Sequence, residues 1–321
     1  MLKSIFALLS FALSLVFITE AKAEYPDKPI KIIVPFGAGG GSDAVARTFQ
    51  KAIEANKLVK VPVVVTNIKG PGGRIGSRTA KDAPADGYTL LLNHMTLLTS
   101  QATGLANYGY RDFEPVAGTG DVCMTAAVMQ SSPYKTLKDL LTAAKQKPDS
   151  LIYGVNVGAL NHMGGLLLQG TMPGSQFRFV QIGGDVANFT NLKGGHTNAT
   201  AISAGQFNAG RSAGLRGLAI LSDKRHPNLP DVPTAKEQGF DLSFCFEYWW
   251  LAPKGTPADR VSKLAGVFKA AMNTDIVKKT FAKRLTLPVY RSGSDLRDYI
   301  AAEYKKVEPV AAMAMKSKKK K

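Results

Sequence analysis

Cysteine is nearly absent: the 321 residues include two, Cys123 and Cys245. Two thiols exclude a disulfide-framework miniprotein and a cysteine-rich metal module. An oxidising compartment would permit a bridge, but sequence alone cannot bring two Cα atoms together, and the expectation is a pair of free, buried thiols. Histidine is almost as scarce, with four residues, no His-Glu-x-x-His and no metal spacing. Acid is short against base, 24 Asp and Glu beside 41 Lys and Arg, for a net charge of +17. Such a balance draws anions over a distance. Nucleic acid is not the expected anion, because no aromatic–basic interleaving or nucleic-acid motif accompanies the charge. Gly-x-Ser-x-Gly is also missing, and Ser132-x-x-Lys135 lacks its companion motifs, so a secreted hydrolase has no nucleophile to stand on. Neither an enzyme nor a cofactor is expected.

Long apolar runs are absent after the first 23 residues. Those residues read as a secretory leader: Lys3, an apolar stretch from Ile5 to Ile18, and the small-x-small site Ala21-Lys-Ala23. Cleavage after Ala23 would leave Glu24 first and place the chain in the periplasm. At the other end, residues 316–321 form a lysine-rich tail, expected to be solvated, with adhesion to anionic lipid as an alternative.

What the chain does have is glycine placed between strands and helices. Ile32, Ile33 and Val34 suit a buried strand, Pro35 stops it, and the loop Phe36-Gly-Ala-Gly-Gly-Gly-Ser-Asp43 leads into an amphipathic pattern with Ala44, Val45 and Phe49 on one face. A glycine loop feeding a helix N-terminus presents free N–H groups and the positive end of the helix dipole together, which suits a carboxylate. A tight structural turn is the competing reading. A dinucleotide fingerprint would need glycine where Ser42 stands, and no Gly-Lys-Ser or Gly-Lys-Thr follows, so a nucleotide is not the expected ligand. Strands and helices alternate onward through Val61–Thr66, a second glycine turn near Pro71–Gly76, and Asp86–Asn93. That alternation predicts parallel βαβ units, with ligands at the carboxyl ends of the strands. The rule places His94, Met95 and Thr96 on the same rim as the glycine loop. Residues 110–117 read as a connection, and Val122–Val128 as a strand. An aromatic strand follows at Phe244–Leu251, whose alternation predicts Phe244, Phe246, Tyr248 and Trp250 on one face, mostly as core, with one or two rings free to wall a pocket.

As a set, several motifs resemble a known family. Tyr25-Pro-x-Lys-Pro-Ile-x-Ile-Ile-Val-Pro-Phe-x-Ala-Gly-Gly-Gly-Ser-Asp43 is similar to the N-terminal signature of periplasmic solute-binding proteins of tripartite tricarboxylate transporters, the Bug or TctC type. Pro71-Gly-Gly-x-Ile-Gly76, Pro84-Ala-Asp-Gly-Tyr-Thr-Leu-Leu-Leu92, Arg111-Asp-Phe-Glu-Pro-Val116, Pro230-Asp-Val-Pro-Thr234 and Leu251-Ala-Pro-Lys-Gly-Thr-Pro257 match it in order. The resemblance implies an α/β fold of two lobes, the type II periplasmic binding or Venus flytrap architecture, each lobe a mixed sheet flanked by helices. It implies a first lobe from residues 24–122 and 247–315, and a second from 123–246. The implied ligand is a small organic carboxylate, the implied partners are membrane subunits of a tripartite tricarboxylate transporter, and the implied state is a monomer. Sensing or envelope binding without transport is the alternative.

Carried onto this chain, the ligand site draws on Phe36, Ala38, Gly39, Gly40, Gly41, Ser42 and Asp43 from the first lobe, with His94, Met95 and Thr96. From the second lobe it draws on Gly158, Ala159, Asn161 and His162, on Gly184 and Asp185, and on Ile202 and Ser203. His94 and His162 are equally of the kind that sits buried and satisfied. The second lobe departs from the family pattern. The opposing loop reads Gly158-Ala-Leu-Asn-His162, where two hydroxyls are usual, and Ile202 stands where relatives carry an aspartate. Both changes favour a carboxylate with an apolar or aromatic body over an amino acid.

Overall fold

A computed structural model describes residues 24–318. The leader and residues 319–321 of the lysine tail lie outside the described residues.

The chain opens with three βα steps: β1 (Ile30–Val34) into α1 (Gly41–Ala55), β2 (Val63–Asn67) into α2 (Arg74–Lys81), and β3 (Thr89–Asn93) into α3 (Thr96–Ala102). β1 lies between β2 and β3, parallel to both, so ligand-facing loops gather at one edge. Next comes β4 (Phe113–Met129), a strand of 17 residues that serves both lobes. The second lobe continues with α4 (Leu137–Gln146), β5 (Ile152–Val155), α5 (Leu160–Gly170), β6 (Arg178–Gln181), α6 (Asp185–Lys193), β7 (Thr200–Ser203), α7 (Ala204–Gly210) and β8 (Leu215–Ile220). The return is β9 (Cys245–Pro253), followed by α8 (Ala258–Met272), α9 (Asp275–Lys283), β10 (Leu287–Arg291) and α10 (Gly293–Lys318).

The first lobe is a mixed sheet in the order β10-β4-β9-β3-β1-β2, with β9 antiparallel to β3 and β4. β4 then changes partners. It registers with β9 as far as Cys123, and from Met124 onward it lies between β7 and β8. β5 and β6 pair in parallel and join β7 through the bridge Tyr153↔Ala199. Two mixed sheets therefore share one strand, and β9 runs beside it at the crossing.

This layout corrects two expectations. Residues 110–117 are not only a connection, since β4 starts at Phe113; Pro115 is tolerated because the ladder slips register between Pro115 and Ala117, where no N–H is required. Cys123 and Cys245 are not free thiols. They face each other across β4 and β9 with Cα atoms 3.8 Å apart and form a disulfide. The pairing of two strands far apart in sequence, which spacing alone does not reveal, brings them together.

The first-lobe core is aromatic. Phe49 of α1 lies 4.8 Å, centroid to centroid, from Trp250 of β9, which stacks at 4.2 Å on Phe268 of α8. The Trp250 indole N–H donates to Thr119 Oγ1 at 2.8 Å, so the buried ring carries no orphan donor. This packing fixes α1, and with it the glycine loop, against the sheet.

Candidate functional site

A cavity of about 750 Å³ lies between the lobes. Its first-lobe wall is the glycine loop, through Phe36, Ala38, Gly40, Gly41 and Ser42. The loop is braced from behind. Asp43 Oδ2 accepts the Gly39 N–H at 2.9 Å, its Oδ1 accepts Arg47 Nε at 3.0 Å, and Asn67 donates to the Phe36 carbonyl at 3.1 Å. Gly39 sits at φ +79°, a left-handed conformation that costs glycine nothing. Burial pushes the Asp43 carboxyl up, but those donors outweigh it and hold its pKa below the usual range. Gly39 and Asp43 thus shape the loop without lining the cavity.

His94 lines the cavity with its ring stacked on Phe36 at 4.9 Å. Burial pushes its pKa down to about 3, so the imidazole is neutral. Nδ1 accepts the Thr96 N–H at 3.2 Å, which leaves the proton on Nε2. Met95 and Thr96 are buried beneath it and do not line the cavity.

The second-lobe wall comes from three places. Ala159, Leu160 and Asn161 contribute from the start of α5, Gly184 and Asp185 from the start of α6, and Ser203 from the end of β7. Asn161 is a bracing residue as well: its Oδ1 accepts the Asn156 N–H at 2.8 Å and its Nδ2 donates to the Gly183 carbonyl at 3.1 Å. Gly158 and His162 stand behind this wall. The Gly158 N–H donates to His162 Nδ1 at 3.2 Å, and the His162 ring meets Phe179 edge-on. Ile202 points away, into a separate apolar cluster with Leu192, Phe207 and Leu215. Alternation along β7 puts Ser203 on the cavity face and Ile202 on the other, so the absence of an aspartate at 202 does not strip the cavity of a carboxyl group. A carboxylate is present at Asp185, whose Oδ2 accepts the Ser203 hydroxyl at 2.7 Å and the Ser203 N–H at 3.2 Å. Burial pushes its pKa up, against those bonds and the nearby Arg284 charge.

Three helices of more than two turns begin at the cavity without a side-chain cap. Their N-cap residues are Gly40 for α1, Ala159 for α5 and Gly184 for α6. Elsewhere the chain does use capping side chains, with Thr136 on α4 and Thr274 on α9. Uncapped N-termini leave N–H donors and a partial positive charge facing inward. Between them the wall is largely apolar, through Ile75, Leu160, Ile182 and Val186, with Phe246 and Tyr248 from β9. Lys69 is the cationic side chain that lines it. The β9 alternation made Phe246 and Tyr248 legible in the sequence; Lys69, Asn156, Gln181 and Ile182 carried no such signal.

The lobes touch directly across this cavity. The Gly72 N–H donates to Asn156 Oδ1 at 2.8 Å, and the Thr99 hydroxyl donates to the Gly158 carbonyl. These bonds tie the two lobes together beside the cavity.

A family model described as the tripartite tricarboxylate transporter family receptor, TctC, matches residues 45–314. The chain belongs to this receptor family. Among its relatives, BugT of Bordetella pertussis (strain Tohama I) is 31% identical over 289 residues, 87% of each chain. An Agrobacterium vitis protein of the UPF0065 group is 33% identical over 293 residues, 88% of this chain and 82% of that one. The periplasmic binding protein BugD superposes with a TM-score of 0.84 at 26% identity, covering 90% of this chain and 98% of that one. R. palustris Rpa4515, solved with adipate, gives 0.81 at 28% identity, covering 90% and 99%. Members of the TctC family are solute receptors, and the two-lobed α/β architecture is theirs. Among the described residues no helix is long and apolar enough to cross a membrane.

Proposed function

We propose that this TctC-family chain works in the periplasm as a monomer, captures a small organic carboxylate in the cleft, and hands it to the membrane subunits of a tripartite tricarboxylate-type transporter. The observation that carries the reading is the convergence of three uncapped helix N-termini on one cavity, α1 from one lobe and α5 and α6 from the other. Backbone donors of this kind hold a carboxylate without a fixed cation. Because they come from both lobes, a bound anion favours the closed form. The volume, about 750 Å³, exceeds what a short acid fills, and the wall of Ile75, Leu160, Ile182 and Val186 suits an apolar body. The relative solved with adipate, a six-carbon dicarboxylate, supports the ligand class. We place the hinge where β4 leaves the first-lobe sheet after Cys123 and β9 enters it at Cys245, within two residues of the lobe boundaries at 122/123 and 246/247.

Thermal unfolding of the mature chain against aliphatic dicarboxylates, tricarboxylates, aromatic acids and amino acids tests this. A ligand at a hundredfold excess over its dissociation constant stabilises the native state by about 2.7 kcal/mol. An upward shift with an acid class, lost in a folded Gly40→Val variant, is the expected result. A folded, ligand-free protein that no carboxylate shifts would overturn the proposal.

A further inference from the structure

The carboxylate reading leaves one group in the cavity unexplained: Asp185 brings a carboxyl group to a site built for anions. It begins α6, and Ser203 holds its Oδ2 through both the hydroxyl and the N–H. Ser203 caps nothing in its own helix, α7; its hydroxyl is spent on Asp185. Facing this pair from the other lobe is the start of α1. A Cβ placed on Gly41 would lie 3.6 Å from Ser203 Oγ, 3.0 Å from Tyr248 Oη and 3.9 Å from Arg284 Nη2. The Ser203 hydroxyl, with Tyr248 Oη and Arg284 beside it, therefore links the start of α1 to the Asp185 carboxyl.

That closeness restricts the ligand. A carboxylate seated on the N-terminus of α1 has Asp185 beside it. A second carboxylate at that corner would meet an anion. An ammonium on the carbon next to the seated carboxylate would meet its counter-charge. Arg284 bears on Asp185 through its field, and Tyr248 is the other titratable group at the corner; burial keeps that phenol protonated. His94 is neutral and adds no competing charge.

We propose that Asp185, braced by Ser203, is the specificity-determining residue, and that it pairs with the α-ammonium of an amino acid whose apolar side chain occupies the rest of the cavity. The proposal rests on the carboxylate reading above and replaces the preference for non-amino acids drawn from Ile202.

Matched ligands test it: leucine and phenylalanine, each beside its 2-hydroxy and its deaminated acid, measured by calorimetry on the mature chain. At least one of the two amino acids binds ten-fold or more tighter than its deaminated acid. Asp185→Asn, with an unfolding midpoint showing it folded, removes that preference, and Ser203→Ala reduces it. Amino-acid affinity falls as pH drops and Asp185 protonates, whereas affinity for the deaminated acid does not fall. Equal binding of an amino acid and its deaminated acid, binding of carboxylates other than amino acids alone, or a preference that survives Asp185→Asn overturns the ammonium site while leaving the carboxylate reading intact. No binding by these acids or by adipate overturns both.

Discussion

Asn156 Oδ1 accepts the Gly72 N–H at 2.8 Å, in a buried bond that joins the second-lobe loop to the glycine turn of the first lobe. The bond crosses from one lobe to the other. A neutral hydrogen bond of this kind contributes about 1 kcal/mol, or about five-fold in an equilibrium constant. Asn156→Ala should therefore shift the ligand-free protein toward the open form and weaken ligand binding about five-fold. Asn156 also lines the cavity, so Thr99→Val serves as the second variant: it removes the bond to the Gly158 carbonyl from a side chain outside the cavity. Small-angle scattering of both ligand-free variants should give a larger radius of gyration than the parent. Unchanged radii in both would show that these bonds do not hold the cleft shut.

The Cys123–Cys245 disulfide closes a loop of 122 residues at the place where β4 passes from one sheet to the other. In the chain-entropy account, a cross-link over that length restricts the unfolded chain enough to contribute about 2–5 kcal/mol. Cys123→Ser combined with Cys245→Ser should lower the urea midpoint accordingly. Dithiothreitol should lower the parent's midpoint and leave the variant's alone. Equal midpoints for parent and variant without reductant would refute the role assigned to the bridge.

Much of the scaffold was legible because its signals are local. The β-branched run at Ile32–Val34, the glycine loop and the apolar face at Val45 and Phe49 each lie within a short window, and they gave β1, α1 and the first-lobe wall. What stayed hidden depends on register. β4 begins at Phe113 because a bulge accommodates Pro115, and propensity alone argues against a strand there. The disulfide depends on the same β4–β9 pairing. Ile202 shows how little separates the two outcomes, since in a strand the next residue faces the opposite side and Ser203 is the one that meets the cavity. Asn156 and Lys69 join the site only through packing of the two lobes.

Two buried groups give the stability a pH dependence of opposite signs. Glu247 is pushed up to about 7, first by burial, with Arg291 opposing and Asp121 adding to it. Its folded pKa exceeds its unfolded value, so its stabilising effect is full below about 4.5 and lost as pH rises through 7. His94 is pushed down to about 3 by burial. Its contribution is full above about 6.5 and lost as pH falls toward 3. In the parent the two partly offset each other between these limits. Glu247→Gln should remove the loss on the alkaline side, a gain of at most about 3 kcal/mol at pH 8 at roughly 1.4 kcal/mol per pKa unit, and leave a chain that weakens steadily into acid. His94→Gln should flatten that acid limb. Unfolding free energies of the three proteins from pH 4 to 8 decide it; parallel curves would mean that neither group titrates as described.

Gly41 offers the sharpest separation of binding from stability. It is the first residue of α1, and its φ lies outside the left-handed region, so alanine fits the backbone without strain. The added methyl would sit 3.0 Å from Tyr248 Oη and 3.6 Å from Ser203 Oγ, in the space that the reading above gives to the ligand carboxylate. Gly41→Ala should fold with a slightly lowered midpoint, since Tyr248 must give way by a few tenths of an ångström, and lose ten-fold or more in affinity. Gly266→Ala is the matching control: it lies on the exposed side of α8 with nothing within 4 Å of the new Cβ. That change should add about 0.5–1 kcal/mol of stability, as alanine does over glycine inside a helix, and leave binding untouched. Affinity that survives Gly41→Ala would move the carboxylate away from the N-terminus of α1, and with it the corner that Asp185 is proposed to guard.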